Sequence, residues 1–273
     1  MRSGDGRTTN AARVEGDRAV LLSARDVGSL LAEADFEAAL EEVTGAEREL
    51  SACDFAPLVV DPAKIICVGL NYRDHIEEMG RELPAYPTLF AKFSSSLIGA
   101  HDDLVLPSVS QAVDWEVELG IVIGRAVRRA GEAKAADAIA GYTVVNDVSM
   151  RDWQTRTLQF LQGKTFDAST PVGPVLVTGD ELGGAADLEV RCEVDGEVMQ
   201  RARTSALLFS PAAIVSYISQ FTTLCPGDLI ATGTPGGVGM GRQPPVYLRA
   251  GQVLTTTVEG IGSCVNLCRD ELA

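Results

Sequence analysis

The sequence predicts a mixed α+β protein in which strands predominate. Short apolar runs rich in Val, Ile and Leu recur along the chain, bounded by glycine, proline, asparagine or aspartate, which is typical of strands. The 27 glycines and 12 prolines indicate many turns between them. With 273 residues and 46% hydrophobic content, the chain is long enough to bury a sizeable core.

Two regions differ in character. In the first, residues 11–22 predict short strands around a turn at Gly16, and residues 29–50, rich in Ala, Glu and Leu at helical spacing, predict one or two helices. A boundary is predicted at Asp61-Pro62. We therefore expect a small N-terminal α+β region over residues 1–60 and a larger domain over 61–273.

The second region alternates strands with a few helices. Strands are predicted at 64–70, 89–93, 104–107, 119–124, 142–149, 175–177, 229–232, 253–258 and 263–267, with a hairpin over 188–200. Helices are predicted at 73–80, 130–139 and 211–220. Residues 151–161 are predicted as a helix or an extended arm, followed by a loop at 162–167.

An acidic ladder opens one of these strands. Because side chains alternate across a strand, Asp114, Glu116 and Glu118 share one face. The opposite face carries Trp115, Val117 and Leu119. Adjacent buried carboxylates repel one another unless a cation holds them, and hard divalent ions prefer oxygen ligands. The ladder is thus either a metal site or the solvated face of an edge strand.

Three further features are candidates for a functional site. Asp147 closes a strongly apolar strand, where it could complete a set of three carboxylates or simply form a turn. His75 and Glu78 stand three residues apart on a predicted helix, either as a general-base pair or as a solvated surface pair. The glycine-rich loop 233–239 suits backbone approach to a small ligand or a plain connection.

Charge and composition exclude several classes of partner. A net charge of −15 argues against nucleic acid and anionic membranes. No apolar run approaches a membrane span of roughly 20 residues, and no secretory signal is recognisable. Six scattered cysteines without a Cys-x-x-Cys pair, and only two histidines, favour buried reduced thiols over a zinc site. We expect a cytoplasmic protein.

Five segments together resemble the fumarylacetoacetate hydrolase superfamily, especially its acylpyruvase-like and 2-hydroxyhepta-2,4-diene-1,7-dioate isomerase-like branch. In family order across residues 64–267, they are Val68-Gly69-Leu70-Asn71-Tyr72 with Asp74-His75, Asp114-Trp115-Glu116-Val117-Glu118-Leu119, Asn146-Asp147-Val148-Ser149 with Arg151-Asp152, Gly163-Lys164-Thr165-Phe166-Asp167, and 226–239. The resemblance implies a β-roll with peripheral helices, a catalytic domain over 61–273 and a homodimer.

The resemblance also implies residue roles. Glu116, Glu118 and Asp147 would ligate Mg²⁺ or Mn²⁺, and Asp114 would have an outer or solvent-facing role. The implied catalytic residues are His75 and Glu78, a dyad on a mobile lid, and Lys164 beside the metal. The implied substrate-binding residues are Arg73, Gln154, Gly233 and Thr234. Leu70 departs from the arginine common in the acylpyruvase branch, which Arg73 could replace.

The resemblance implies hydrolysis of a carbon–carbon bond in a β-diketo acid of the acylpyruvate or fumarylpyruvate type. His75, oriented by Glu78, would activate the water, and Lys164 with the metal would stabilise the enolate that leaves. An isomerase or decarboxylase of 2-oxo or 2-hydroxydienoate acids, as in aromatic catabolism or oxaloacetate decarboxylation, would use the same enolate. A homologue without turnover is the third alternative.

Overall fold

The computed structural model describes residues 1–2, 8–73, 76 and 82–271. The strands within this part are β1 Ala12–Glu15, β2 Arg18–Leu22, β3 Val43–Glu49, β4 Ile65–Gly69, β5 Thr88–Lys92, β6 Leu97–Ile98, β7 Leu104–Leu106, β8 Val113–Asp114, β9 Val117–Ile123, β10 Ile139–Asn146, β11 Ser149–Met150, β12 Thr170–Val177, β13 Glu189–Val194, β14 Glu197–Arg203, β15 Leu229–Ala231, β16 Val253–Val258 and β17 Gly262–Asp270. The α-helices are α1 Val27–Leu31, α2 Phe36–Glu41, α3 Glu132–Ala136, α4 Arg151–Gln154, α5 Leu161–Lys164 and α6 Pro211–Phe221.

Two large sheets form the body of the second region. One has seven strands in the order β5-β4-β15-β9-β10-β12-β6, and the other has five in the order β14-β13-β16-β17-β7. The short strands β8 and β11 pair separately. The predominance of strands is as predicted, and the strand predicted at 104–107 is β7, at one edge of the five-stranded sheet.

The seven-stranded sheet is buried on both faces. Leu119 and Ile121 of β9 lie in the core shared with the five-stranded sheet, where they join Leu254 of β16. Val122, which points the opposite way, belongs to a second core with Leu229. Because both faces are covered, β9 reads as a nearly continuous apolar run and every one of its residues is buried. A carboxylate on this strand is therefore withdrawn from water.

Helix α6 follows the local rules for a helix start. Ser210 caps it by accepting a hydrogen bond from the backbone N–H of Ala213, and Pro211 occupies the first turn. Ile214, Val215 and Ile218 form its buried face. The prediction of a helix over 211–220 is confirmed, apart from one additional residue.

The N-terminal region contains its own three-stranded sheet, β1-β2-β3, with α1 and α2 beside it. The predicted strands around Gly16 are present. The helical prediction for residues 29–50 is correct for α1 and α2 but wrong for Val43–Glu49, which pairs with β2. These residues are almost all exposed, so no buried face marked them as a strand.

Several boundaries in the second region also differ from prediction, and two of them concern helices. The helix expected over 130–139 is confined to Glu132–Ala136, because Ile139 already begins β10 opposite Ile123. The loop expected over 162–167 begins with the short helix α5, whose last residue is Lys164. This difference matters because α5 presents Lys164 to the site described below.

All six cysteines are free, and five of them are buried. This agrees with the prediction of reduced, buried thiols. Within the described residues, no helix combines the length and apolarity needed to cross a membrane.

Candidate metal and active site

Strands β9 and β10 bring the acidic residues together. In their antiparallel register Val117 lies opposite Asn146 and Glu118 lies opposite Val145. Asp147, which follows β10, continues this pairing by donating its backbone N–H to the carbonyl of Glu116 at 2.9 Å. Residues 116–118 and 147 therefore meet at one end of the strand pair.

Glu116, Glu118 and Asp147 form a buried carboxylate cluster. One oxygen from each lies within 4.8 Å of the others, and none of the three residues is more than 6% exposed. The backbone N–H of Gly233 donates to Glu118 at 2.7 Å and restrains its orientation. The alternative of a solvated edge strand is wrong, because β9 lies inside the seven-stranded sheet.

Two lysines hold the opposite oxygens of Asp147. Lys164 Nζ lies 2.8 Å from Oδ2 of Asp147 and 2.7 Å from Oε2 of Glu116, so it bridges two members of the cluster. Lys92 Nζ lies 2.7 Å from Oδ1. Both lysines are buried. The structure thus brings Lys164 against the carboxylate cluster, and it adds Lys92 from β5.

Asp114 is not part of the carboxylate cluster, because the strand is interrupted between β8 and β9. Its carboxylate accepts from the backbone N–H groups of Trp115, Gly239 and Met240 and from Nε of Arg151, at 2.7–2.9 Å. It is completely buried, which excludes a solvent-facing role. Asp114 anchors the glycine-rich loop and orients Arg151.

Arg151 connects Asp114 to the cluster. Its NH1 lies 2.6 Å from Oε1 of Glu116 and also donates to Oε1 of Gln154 at 2.9 Å. Glu116 is therefore held between Arg151 and Lys164. This arrangement fixes its carboxylate and leaves Gln154 at the border of the site.

The ionic balance of the site suits a divalent cation. Asp114, Glu116, Glu118 and Asp147 supply four carboxylates, whereas Lys92, Arg151 and Lys164 supply three positive charges. One negative charge is in excess, and a divalent ion would convert it to one positive charge, suited to an anionic ligand. Three oxygen donors with room for further ligands are typical of Mg²⁺ and Mn²⁺ sites.

The pKa values reflect the same balance. Burial, and then the charges of Asp147 and Glu116, raise the pKa of Glu118 well above its usual range. Burial would also raise the pKa of Asp147, but Lys164 and Lys92 outweigh it and keep that pKa below its ordinary value. Burial lowers the pKa of Lys164 less than Asp147 and Glu116 raise it, so Lys164 is an ammonium ion. Glu118 therefore binds a proton more readily than an ordinary glutamate.

The four expected substrate-binding residues differ in their surroundings. Gly233 and Thr234 follow β15, and the hydroxyl of Thr234 accepts from Nε2 of Gln200 at 2.8 Å. Gln200 also accepts from the backbone N–H of Val117, which ties this loop to β9. Arg73 is exposed and Gln154 is half-buried. Their substrate-binding roles remain predictions.

The expected catalytic dyad cannot be placed. His75 and Glu78 lie outside the described residues, which include Arg73 and Ile76 of this segment. Their roles therefore also remain predictions.

Sequence reasoning missed the roles of Lys92 and Arg151. Lys92 ends a strand whose preceding residues are apolar. Because a buried lysine is rarely unpaired, a lysine at the end of such a strand could have indicated an acidic partner. Arg151 follows Asp147 by four residues and stood inside a recognised motif. Neither local pattern names its partner, because Lys92 is 55 residues from Asp147 and Arg151 is 37 from Asp114.

Comparison with known proteins identifies the family. Residues 64–268 match the family described as "Fumarylacetoacetate (FAA) hydrolase C-terminal". The chain belongs to the fumarylacetoacetate hydrolase family. The match covers β4 to β16 and most of β17, the carboxylate cluster, Lys92 and Lys164. The resemblance seen in the sequence is confirmed.

Members of the fumarylacetoacetate hydrolase family with several activities are similar to this chain. "Oxaloacetate tautomerase Fahd2a, mitochondrial" of Rattus norvegicus is 44% identical over 217 residues, which cover 79% of this chain and 69% of the relative. The crystal structure of 5-carboxymethyl-2-hydroxymuconate delta-isomerase from Mycobacterium smegmatis is 36% identical, with a TM-score of 0.79 over 99% of this chain and 97% of that one.

A third similar protein carries ligands. Fumarylpyruvate hydrolase from Pseudomonas aeruginosa, in complex with Mn²⁺ and pyruvate, is 30% identical, with a TM-score of 0.71 over 80% of this chain and 98% of that one. These similarities confirm the predicted fumarylacetoacetate hydrolase-type fold. They also place the chain in a family of enzymes whose activities include tautomerases, isomerases and hydrolases.

Proposed function

We propose that this protein is a metal-dependent tautomerase of a small 2-oxo dicarboxylic acid of the oxaloacetate type. The observation that carries the proposal is the buried cluster of Glu116, Glu118 and Asp147 with Lys164 bridging two of its members. The 44% identity to an oxaloacetate tautomerase supports this substrate class over the acylpyruvates expected at first.

The ligands of the metal would be Glu116, Glu118 and Asp147. Mn²⁺ is supported by its presence in the related fumarylpyruvate hydrolase, and Mg²⁺ suits the same oxygen donors. When bound, the ion would polarise the oxygens of the keto acid and stabilise negative charge on them. Arg151 and Lys92 would keep Glu116 and Asp147 in place.

Tautomerisation moves one proton between a carbon atom and the neighbouring carbonyl oxygen. The negative charge that develops on this oxygen needs a fixed positive group or hydrogen-bond donor beside it. Lys164 supplies such a group, because its partners Asp147 and Glu116 keep it protonated in a buried site. We assign the proton transfer at carbon to His75, oriented by Glu78, because the resemblance implies that this pair is the catalytic dyad.

The hydrolase is the second candidate. It is favoured by the 30% identity to a fumarylpyruvate hydrolase with Mn²⁺ and pyruvate. Hydrolysis would use the same stabilised oxygen and would also require His75 to activate water. The M. smegmatis isomerase instead supports a proton shift without bond cleavage, as in the tautomerase.

Product analysis separates these reactions. Mn²⁺-loaded protein is mixed with the enol form of oxaloacetate, and the decay of enol absorbance is followed together with the release of pyruvate and CO₂. Faster ketonisation without pyruvate is the expected result, whereas pyruvate with CO₂ would indicate a decarboxylase. Acid release from fumarylpyruvate, with no effect on oxaloacetate, would refute the tautomerase and favour the hydrolase.

Free metal ions can themselves accelerate these reactions. The matched control is therefore Glu116→Gln at the same Mn²⁺ concentration, because it keeps the side chain's size but removes one carboxylate of the cluster. A rate equal to that of the wild type would show that the cluster does not carry the activity.

A further inference from the structure

Gln200 connects the strand that carries the carboxylate cluster to the loop that follows β15. It belongs to β14 of the five-stranded sheet and is 1% exposed. Its Oε1 accepts from the backbone N–H of Val117, which lies between two members of the cluster, at 3.0 Å. Its Nε2 donates to the hydroxyl of Thr234 at 2.8 Å and to the carbonyl of Pro235 at 2.9 Å. One buried side chain therefore holds both segments.

The neighbours of Gln200 fix which end of its amide faces which partner. A backbone N–H can only donate, so the atom beside Val117 must be the amide oxygen. A carbonyl can only accept, so the atom beside Pro235 must be the amide nitrogen. The same nitrogen donates to Thr234, whose hydroxyl oxygen is therefore the acceptor in that contact. A hydroxyl has a single proton, and this arrangement directs it away from Gln200.

The proton of the Thr234 hydroxyl is available to a partner outside the chain. The residue is 7% exposed, and no acceptor in the part of the chain that the structure describes takes a hydrogen bond from this hydroxyl. The preceding residue, Gly233, donates its backbone N–H to Glu118 at 2.7 Å. The hydroxyl thus follows directly after a residue that contacts the carboxylate cluster.

Backbone contacts hold the same loop against β14. A Cβ atom added to Gly237 would lie 2.3 Å from the carbonyl oxygen of Met199, so this close approach requires glycine. The indole N–H of Trp115 also donates to the carbonyl of Gly237 at 3.2 Å. Because these contacts do not involve the amide of Gln200, a substitution of Gln200 should alter hydrogen bonding more than the path of the loop.

We infer that Gln200 is a positioning residue for ligand binding, because its amide orients the Thr234 hydroxyl so that the proton is offered to an anionic oxygen of the bound 2-oxo acid. The inference rests on the proposed function for the class of ligand and on the predicted substrate-binding role of Thr234. Since hydrogen bonds in a chain polarise one another, a hydroxyl that accepts from Gln200 is also the better donor. Gln200 itself does not touch the ligand.

The test is a double-mutant cycle of Gln200→Met and Thr234→Val, with oxalate as the probe. Oxalate is a stable dianion that resembles the enolate of a 2-oxo acid, and its affinity is measured by calorimetry at saturating Mn²⁺. Thr234→Val should bind oxalate roughly tenfold or more weakly, the loss typical of one hydrogen bond to a charged oxygen. Gln200→Met removes the orienting donor without adding a charge and should weaken binding about threefold or more.

The double variant decides between positioning and a general effect on structure. If Gln200 acts through the Thr234 hydroxyl, Gln200→Met should weaken oxalate binding several times less in the Thr234→Val background than in the wild type. A general loss of structure would weaken binding by the same factor in both backgrounds. Factors that agree within about twofold would therefore overturn the inference. Should Gln200→Met not fold, Gln200→Glu takes its place, because it keeps an acceptor for Val117 while an ionised carboxylate offers Thr234 no donor.

Gln252→Met is the matched control. Gln252 makes the same kind of bridge at an exposed turn beside β16, because its Oε1 accepts from the backbone N–H of Arg249 and its Nε2 donates to Asp195, both at 2.9 Å. This variant should bind oxalate as the wild type does. If it loses as much oxalate affinity as Gln200→Met, the effect is not specific to Gln200 and the inference fails.

Two further outcomes keep the inference separate from the proposed function. If oxalate binding shows the coupling between Gln200 and Thr234 but the wild type does not turn over oxaloacetate, the inference holds and the tautomerase is wrong. If oxaloacetate is turned over and the two substitutions act independently on oxalate binding, the inference is wrong and the proposed function stands.

Discussion

Replacing Arg151 by methionine tests whether the site is held together by balanced buried charge. Arg151 is 5% exposed, and its partners Asp114 and Glu116 are 0% and 6% exposed. The substitution leaves Asp114 with only backbone donors and Glu116 with Lys164 alone. Removing one partner of a buried ion pair costs about 3–5 kcal/mol, because the remaining charge is uncompensated. We expect a loss of that size in the free energy of unfolding.

The measurement is urea unfolding of the metal-free protein, with Arg203→Met as control. Arg203 pairs with Asp187 at the surface, where both side chains are about half exposed, so its loss should cost at most about 1 kcal/mol. Arg151→Lys should fall between the wild type and Arg151→Met, since lysine restores the charge but cannot reach both carboxylates with a planar fork. If Arg151→Met is no more costly than Arg203→Met, the charge-balance argument is wrong.

Three other substitutions examine the metal, the lysine and the assembly. The pKa of Glu118 is higher in the folded, metal-free protein than in the unfolded chain. The stability of the metal-free protein should therefore fall as the pH rises from the pKa of Glu118 in the unfolded chain towards its pKa in the folded protein. Mn²⁺ must displace that proton, so its affinity should rise with pH over this window, as titration calorimetry can show. At a Mn²⁺ concentration 100-fold above the wild-type Kd, the free energy of unfolding of the wild type should rise by about 2.7 kcal/mol. For a Glu118→Gln variant that binds Mn²⁺ 100-fold more weakly, it should rise by only about 0.4 kcal/mol. An equal rise in both proteins would exclude Glu118 as a ligand. Lys164→Met should reduce turnover by about 10²–10³-fold. Lys64→Met is the control, because it removes a lysine that pairs with Asp228 away from the site, and it should leave turnover unchanged in the same assay. We predict a homodimer that buries the apolar side chain of Leu158, which is 98% exposed in the single chain. Light scattering should show dissociation for Leu158→Asp but not for Val198→Asp. A monomeric wild type would refute this prediction.

The alternation of side chains along a strand predicted part of the site correctly. It placed Glu116 and Glu118 together, and both belong to the cluster, although Glu116 immediately precedes β9 and only Glu118 lies within it. The same reasoning failed for Asp114, since the chain leaves the strand at Trp115 and Glu116. Three hydrogen bonds then bind Asp114 to Arg151, Gly239 and Met240, and no local pattern encodes such contacts.

The wrong prediction for β3 and the missed site residues have the same cause, which is contact between segments far apart in the sequence. Residues 29–50 as a whole are rich in Ala, Glu and Leu, but pairing with β2 decides the conformation of Val43–Glu49. The residues that neutralise the cluster, Lys92 and Arg151, act through tertiary contacts that appear only when β5, α4 and β10 are assembled. The residues alone left Asp147 as either a third carboxylate or a turn residue, and the family resemblance decided for the carboxylate and added Lys164.

The long sequence separation within the carboxylate cluster bears on how this protein folds. Lys92 and Asp147 are 55 residues apart, Glu116 and Lys164 are 48 apart, and Glu118 and Gly233 are 115 apart. Such contacts are characteristic of slowly folding, high-contact-order topologies, and they close only after the sheet has assembled. The groups that fix the three carboxylates therefore come together only in the assembled sheet. A divalent ion bound by the cluster, as proposed above, would be taken up late and would report a finished tertiary structure.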